Sequence, residues 1–182
     1  MAATQKKNIW FWGTDDGVHP NKVKGFIAAS QGILIPNSLL YLSTSGTWKA
    51  CDTADGSDGV QGMFTGVVDK STAWPITAEL AANTEIYVTL ISADDELAVY
   101  METGGADTAA TQAMVGAQYG MTISATAGEV GYVSLAADNS NVVFRVVDIA
   151  SNREDNAFTT SDSPGVAIVK LLQTQIELVK ET

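Results

Sequence analysis

Three pairs of neighbouring carboxylates are the residues in this sequence whose types and spacing best suit general acid and base chemistry. They occur at Asp15–Asp16, Asp94–Asp95 and Glu154–Asp155. A glycosidase uses two such groups and needs a pocket that raises the pKa of one of them. Each pair falls in a predicted turn, where acidic side chains are expected to be solvated. Nothing in the sequence predicts such a pocket, so we expect none of the pairs to be catalytic.

The sequence lacks the motifs that are usual for nucleophilic catalysis and for phosphate binding. His19 is the only histidine, so a Ser-His-Asp or Cys-His arrangement would have to use it, and no Gly-x-Ser-x-Gly elbow is present. It precedes Pro20 and is interpreted as an ordinary loop residue. No Gly-Lys-Ser/Thr sequence occurs, which excludes a Walker loop. The sequence therefore predicts a protein that is not an enzyme and binds no cofactor.

The loop at residues 52–59 has the strongest acidic character in the chain. It contains Asp52, Asp55 and Asp58 with two interspersed glycines, and calcium prefers the hard oxygen ligands that aspartates supply. The spacing is not that of an EF-hand, and no closing glutamate follows. Asp-Gly is also common tight-turn chemistry, which is the interpretation we favour. Cys51 is the only cysteine, so an internal disulfide and a multi-cysteine zinc site are excluded. No metal site is predicted, and calcium stays the alternative for this loop.

Aromatic residues near the N-terminus are the main candidates for binding a partner. Ile9, Trp10, Phe11 and Trp12 precede a turn-rich run that begins at Gly13. Strand alternation cannot place all three rings on one face. One interpretation is an anchor that inserts into a partner subunit, since aromatic residues dominate binding hot spots. The other is a segment that folds back into the core of its own domain. Both stay open at this point.

The four tryptophans offer a second kind of binding site. Trp10, Trp12, Trp48 and Trp74 could together form a platform on which sugar rings stack. Together with possible calcium binding at residues 52–59, it makes a glycan- or calcium-binding β-sandwich module an alternative function for this chain.

Charge and composition narrow the possible partners. The chain carries 10 basic and 21 acidic residues, for a formal net charge of −11. A nucleic-acid binder needs a basic surface, and anionic lipid also attracts basic residues, so neither partner is expected. Hydrophobic residues make up 46% of the chain, but no apolar run approaches the ~20 residues that span a bilayer. We expect a protein that is made in the cytoplasm without a secretory signal.

Short β-strands account for most of the chain. About ten runs rich in β-branched and aromatic residues are separated by turn signals every ~8–12 residues. Glu85–Ile91 and Glu96–Met101 are predicted to form a hairpin around Ser92–Asp95. Closure removes exposed edges, so an all-β barrel is the natural inference. We expect an N-terminal arm at 1–22 and a β-barrel domain at 23–182. A division into a small β subdomain at 23–83 and a main barrel at 84–182 is left open.

The run Asn141–Ile149 is the clearest of these strands. Alternation predicts Val142, Phe144, Val146 and Asp148 on one face, with Val143, Arg145, Val147 and Ile149 on the other. Both faces are mostly apolar, which is typical of a strand covered on both sides. Arg145 is the exception, and it either pairs with an acid such as Asp148 or Glu154 or faces a subunit interface.

Several stretches of the chain share a pattern with a known protein family. They are 32–36, 45–48, 55–59, 62–66, Tyr119-Gly120, Gly131-Tyr132-Val133, 144–148 and 165–169. The first half has an apolar strand, a Gly-x-Trp strand, an Asp/Gly loop and a glycine-flanked strand. These patterns resemble the head decoration, or cement, proteins of tailed bacteriophages, and the second half resembles the barrel of cyanophage-type and marine-phage cement proteins. The similarity is one of pattern over much of the chain, without a sharp motif.

This resemblance implies a structural virion protein with a β-barrel or β-tulip-like domain and an extended N-terminal arm. Such proteins bind the outer surface of the head, bridge major capsid protein subunits and resist the pressure of the packaged DNA. They commonly act as trimers or dimers, and terminal arms contact the capsid protein. For this chain the resemblance implies the major capsid protein and further copies of itself as partners. The segment Ile9–Trp12 and Arg145 are the contacts that we predict.

Overall fold

The structure, a computed structural model, describes residues 9–13, 21–52, 59–72, 76–103, 106–126, 129–136, 142–153 and 158–172. These residues form thirteen strands and two short 3-10 turns, at Gln112–Met114 and Ala150–Asn152. The all-β fold predicted from the sequence is confirmed. The strands are β1 (Ile9–Gly13), β2 (Lys22–Phe26), β3 (Ile33–Leu34), β4 (Leu39–Leu42), β5 (Trp48–Ala50), β6 (Gly62–Val67), β7 (Glu85–Leu90), β8 (Glu96–Thr103), β9 (Ala106–Asp107), β10 (Gln118–Thr126), β11 (Glu129–Ala136), β12 (Phe144–Ile149) and β13 (Val166–Leu171).

Five strands of the larger sheet are hydrogen-bonded in a closed ring. The order is β8-β13-β12-β10-β11, and β11 returns to β8. The contact that closes the ring, between β11 and β8, is parallel, and the other four are antiparallel. Strands β1 and β9 pair with β8 and strand β3 pairs with β11, all outside the ring. Every ring strand therefore has a hydrogen-bonded partner on both sides over part of its length, and none is an edge strand throughout.

Side chains of the ring alternate between its interior and its outer face. On β8, Leu97, Val99 and Met101 belong to the interior core, whereas Ala98 and Tyr100 belong to an apolar cluster on the outer face. All five are buried, because this strand is covered on both faces. The other ring strands also contribute interior residues, at alternate positions except across a bulge in β12. These are Met121, Leu135, Phe144, Val146, Ile149, Ala167, Val169 and Leu171.

The second sheet has the order β2-β7-β6-β4-β5. Its two ends meet where Ile27 forms a parallel bridge with Trp48, and Ala28 N–H donates to the Trp48 carbonyl at 2.9 Å. Leu39 and Met63, paired across β4 and β6, join the interior core of the larger sheet, so the two sheets pack through them. The sheet's own core consists of Ile27, Leu34, Leu40, Trp48, Phe64, Ile76, Ile86 and Val88.

A turn at Ser92–Asp95 carries the chain from the second sheet to the larger one. The Asp95 carboxylate accepts a hydrogen bond from Ser92 N–H at 2.7 Å, and Asp95 N–H donates to the Ser92 carbonyl at 3.3 Å. Both predicted flanking strands are present, but the predicted hairpin is wrong. Strand β7 pairs with β2 and β6, while β8 pairs with β1, β9, β11 and β13. A turn signal predicts a change of direction, and it does not specify which strands pair.

Strand β12 contains a β-bulge that the alternating pattern does not predict. Its register with β13 shifts between Val146 and Asp148. Asp148 is therefore opposite Ile168 of the outer-face cluster, and Ile149 lies in the interior core. The prediction that Asp148 shares a face with Val146 is wrong, because the additional residue in the bulge reverses the alternation after it.

The segment predicted as an N-terminal arm includes a strand of the larger sheet. Strand β1 is antiparallel to β8, with Ile9 opposite Val99 and Trp10 opposite Ala98. The remaining residues of 1–20 lie outside the described residues, and the predicted domain boundaries stay predictions. In the part of the chain that the structure describes, no helix is long and apolar enough to cross a membrane.

Gly25 of β2 faces the buried indole of Trp48. A methyl group at Gly25 would overlap with Nε1 and Cδ1 of that ring, which is only 5% exposed. We therefore expect Gly25→Ala to lower the free energy of unfolding by about 1–3 kcal/mol, as overpacking does. Chemical denaturation measures this change. The control is Lys24→Ala on the exposed side of the same strand, which should stay within about 0.5 kcal/mol. Equal effects of the two variants would contradict this packing.

Candidate functional site

The predicted partner-binding segment is divided between the two faces of β1. Ile9 is fully buried in the interior core, and Phe11 packs against that core. Trp10 and Trp12 lie on the opposite face and remain partly exposed. Period-two alternation explains this division. Ile9 and Phe11 therefore act in the fold, and the two tryptophans are the members of the segment that a partner can reach.

Trp10 and Trp12 form an aromatic cluster with two residues from elsewhere in the chain. The Trp10 ring meets Tyr100 at 5.5 Å between centroids with an interplanar angle of 60°, and it stacks on Phe158 at 6.4 Å and 27°. Trp12 contacts Phe158 at 6.5 Å. The buried residues Ala98, Ala150, Val166 and Ile168 lie in the same apolar cluster. We call Trp10, Trp12, Tyr100 and Phe158 the aromatic face.

A turn at Thr159–Asp162 holds Phe158 in place. The Asp162 carboxylate accepts hydrogen bonds from Thr159 N–H at 2.7 Å and from the Thr159 hydroxyl at 2.8 Å. Asp162 N–H donates to the Thr159 carbonyl at 3.2 Å. The backbone N–H of Thr159, and then its hydroxyl, hold the pKa of the Asp162 carboxyl below its ordinary value. The ionised carboxylate is thus the form that closes the turn beside Phe158.

An ion-pair cluster borders the aromatic face. Arg153 Nε lies 2.7 Å from Asp148 Oδ2, and Arg153 Nη2 lies 3.2 Å from Glu96 Oε2. Asp148 also accepts hydrogen bonds from Asn152 Nδ2 and from the Ile149 N–H, both at 2.8 Å. Arg153 therefore links the start of β8 to the end of β12. Asp148, one of the acids considered as a partner for Arg145, is paired with Arg153 instead. Glu154, the other acid considered, lies outside the described residues, and a subunit interface stays a prediction for Arg145.

Arg145 lies on the same outer face, exposed, with Lys170 and Gln118 directly opposite it on the neighbouring strands. Strand β1 is three strand steps from β12, roughly 14 Å at the usual spacing. Two cations on opposed positions repel each other. Strands β13 and β8 are antiparallel, and Val169 is opposite Leu97. The next position along β13, Lys170, therefore falls beside Glu96 of β8. Arg145 forms no ion pair with a carboxylate of the described residues and so remains available to an acidic group from outside.

The outer face therefore combines Trp10 and Trp12 with Arg145, three of the five predicted residues. Partly exposed aromatic rings and an exposed arginine on one face suit contact with another protein surface. Two contributors, Phe158 and Arg153, were not predicted. Phe158 is the only large apolar residue in the polar stretch 151–163, and that isolation is the signal that would have indicated it.

The other candidates from the sequence do not form a site in the described part of the chain. Asp95 closes the turn with Ser92, and Asp94 beside it is exposed. Trp48 is buried in the second sheet, away from Trp10 and Trp12. No group of three or more His, Cys, Asp or Glu that could hold a metal ion occurs among the described residues. His19, Trp74, Asp15–Asp16, Glu154–Asp155 and residues 53–58 of the acidic loop lie outside them.

Phe158 is expected to stabilise the aromatic face through its ring contacts. Phe158→Ala should lower the free energy of unfolding by about 1–2 kcal/mol and shift tryptophan fluorescence to longer wavelength, because Trp10 and Trp12 gain contact with water. Thr160→Ala in the same loop is the control, with a change below about 0.5 kcal/mol and no spectral shift. An unchanged spectrum of Phe158→Ala would show that the ring does not cover the tryptophans.

The turn beside Phe158 is expected to depend on pH. A carboxyl whose pKa is lowered on folding stabilises the folded state at every pH above the ordinary pKa of the group. This contribution is lost as the pH falls through the lowered pKa. In an NMR titration, Asp162 should titrate below the ordinary value of about 3.9, and the Thr159 amide proton should shift with the same midpoint. In the control variant Asp162→Asn, that response of Thr159 should disappear. Titration of Asp162 at its ordinary value would contradict the hydrogen bonds described above.

Comparisons with known proteins do not assign a family to this chain. Searches against protein-family models, curated proteins and solved structures find no match. The function is therefore inferred from the outer face, the charge of the chain and the pattern resemblance described above.

Proposed function

We propose that this protein is a structural component of a tailed-phage virion and not an enzyme. It binds the outer surface of the head and stabilises the shell by bridging major capsid protein subunits. The observation that carries this proposal is the aromatic face, in which Trp10, Trp12 and Phe158 stay partly exposed on a sheet that is apolar on both sides. The pattern resemblance to head decoration proteins indicates the major capsid protein as the partner.

The aromatic face has the properties of a binding hot spot. Trp10 and Trp12 are held by β1, which pairs with β8, and Phe158 is held by its own turn. Rings that are already fixed lose little side-chain entropy when a partner covers them. Aromatic residues at the centre of an interface commonly carry most of the binding energy. The face is therefore suited to a permanent contact such as a shell component makes.

Arg145 adds a directional contact to this face. It is exposed on β12, and Asp148 is engaged by Arg153 instead. No carboxylate of the described residues pairs with Arg145, so a carboxylate on the partner could bind its guanidinium, and a paired charge at the rim of an interface fixes its orientation.

The net charge of −11 supports a location outside a DNA-filled shell. An acidic protein is repelled by packaged DNA, whereas an inner location would favour a basic surface. We propose assembly in the host cytoplasm and a homo-oligomer, a trimer or a dimer, since several copies would let one oligomer contact several capsid subunits.

A glycan-binding module is the alternative function. Trp10 and Trp12 are the tryptophans of the described chain that a sugar could reach. However, Phe158 stacks on Trp10 and contacts Trp12, and Tyr100 contacts Trp10 from another side. Sugar stacking needs an open ring face, so this packing favours a protein partner.

Binding to phage heads tests the proposal. Heads of the encoding phage, prepared without this protein, are mixed with each variant and sedimented. The wild type should co-sediment and raise the temperature at which the heads release DNA. Trp12→Ser and Arg145→Glu should each weaken binding by about tenfold or more, because they remove a ring and reverse a charge on the contact face.

The control for the charge change is Lys49→Glu on β5 of the second sheet, which should bind like the wild type. Thermal melting confirms that Trp12→Ser is folded. Equal binding by all variants would remove the outer face from the mechanism. A protein that stays monomeric and binds no head, but binds glycans on an array, would favour the alternative.

A further inference from the structure

Strand β2, at one end of the second sheet, carries a surface distinct from the aromatic face. Lys22, Lys24 and Phe26 are all exposed on its outward side, and Phe26 is 50% exposed. Tyr87 of the neighbouring β7 lies among them, with its ring centroid 4.6 Å from Lys22 Nζ and 5.7 Å from Lys24 Nζ. We call these four residues the β2 strip.

The β2 strip is locally basic in an acidic chain. Neither Lys22 nor Lys24 forms an ion pair with a carboxylate of the described residues, although the chain has 21 acidic side chains. By register, Glu85 is opposite Phe26, and Tyr87 and Thr89 are opposite the two lysines. The ammonium groups share one aromatic ring and repel each other, so an acidic group from outside would be attracted between them.

The backbone of β2 also has an open edge. Ile27 N–H donates to the Thr84 carbonyl at 3.0 Å, which fixes the alternation, so the odd-numbered residues of the strand bond to β7. The N–H and C=O groups of Lys22 and Lys24 consequently point away from β7. No described strand pairs with β2 there, and β5 reaches it only at the bridge between Ile27 and Trp48.

We propose that the open edge of β2 binds an extended acidic segment of a partner protein as an additional strand. The backbone of the segment would pair with Lys22 and Lys24. Carboxylates two residues apart would lie against the two ammonium groups, and an apolar side chain two residues further along would cover Phe26. This combination of backbone pairing and alternate side-chain contacts is the general mode of strand addition.

Charge disfavours the simplest competing occupant, a second copy paired through the same strand. Antiparallel pairing of two β2 strands about Lys24 would place Lys24 against its symmetry mate, and opposed like charges destabilise a sheet. The two lysines could also serve only to protect the open edge, since lysines on edge strands prevent aggregation through strand pairing. The exposed Phe26 beside them argues against protection alone, because it adds an apolar group to the edge.

A model peptide tests this inference, which does not depend on binding to phage heads. The probe is acetylated Thr-Glu-Thr-Glu-Thr-Val-Thr, and its matched control has Gln in place of both Glu. Amide NMR shifts of the full-length protein report binding. We expect the acidic peptide to perturb the Lys22, Lys24 and Phe26 amides, and the Gln peptide to bind about tenfold more weakly or worse.

Two variants at one position separate strand addition from simple attraction. Lys24→Glu reverses the charge, and Lys24→Pro removes a backbone donor that points away from the sheet, a position where proline is tolerated. Both should weaken binding by about tenfold or more, and Lys70→Glu, in an exposed turn, should leave it unchanged. The melting temperature of each variant verifies that the sheet is intact.

Three results would overturn the inference. If Lys24→Pro binds as the wild type does while Lys24→Glu does not, the contact is electrostatic and no strand is added. If the acidic peptide perturbs none of the β2 amides, the edge does not bind acidic strands. In that second case, self-association of Lys24→Thr would assign the lysines to protection of the edge. Equal binding of both peptides would remove charge from the recognition.

Discussion

Strand β8 is paired along both edges and buried on both faces, and the rest of the larger sheet depends on it. Leu97, Val99 and Met101 fill the interior of the ring, while Ala98 and Tyr100 support the outer face. Full burial of each large apolar side chain contributes about 1.5–3 kcal/mol relative to exposure. The parallel contact with β11 closes the ring, and the contacts with β13 and β1 extend along the other half of the strand. A strand so constrained cannot shift its register, because a shift of one residue would exchange its two faces.

This constraint fixes the geometry of the outer face. Trp10 is positioned opposite Ala98, so the register of β1 on β8 sets where the aromatic rings lie. Glu96 of the same strand forms an ion pair with Arg153, which also forms an ion pair with Asp148. A rigid face with partly exposed rings suits a protein whose role is to hold other subunits in place. The β2 strip lies on the other sheet, so the two contact surfaces that we propose are on different sheets.

The sequence predicted the local elements well and the long-range arrangement less well. The all-β fold and the positions of most strands follow from β-branched runs between turn signals, which are local properties. Alternation alone would place Trp10 and Trp12 on one face, but the cover supplied by Phe158 comes from a distant loop. The bulge beside Val147 leaves no pattern in the sequence, and it reverses the side to which Asp148 points. Pairing partners and bulges are decided by packing between distant segments, which a single sequence does not display.

The central claim is that the outer face of the larger sheet contacts the phage head. Electron cryomicroscopy of heads carrying the protein tests it most directly, because it shows which side of the molecule meets the shell. We predict density in which Trp10, Trp12 and Arg145 lie against the major capsid protein. Density with this face directed to solvent, or heads without bound protein, would contradict the account.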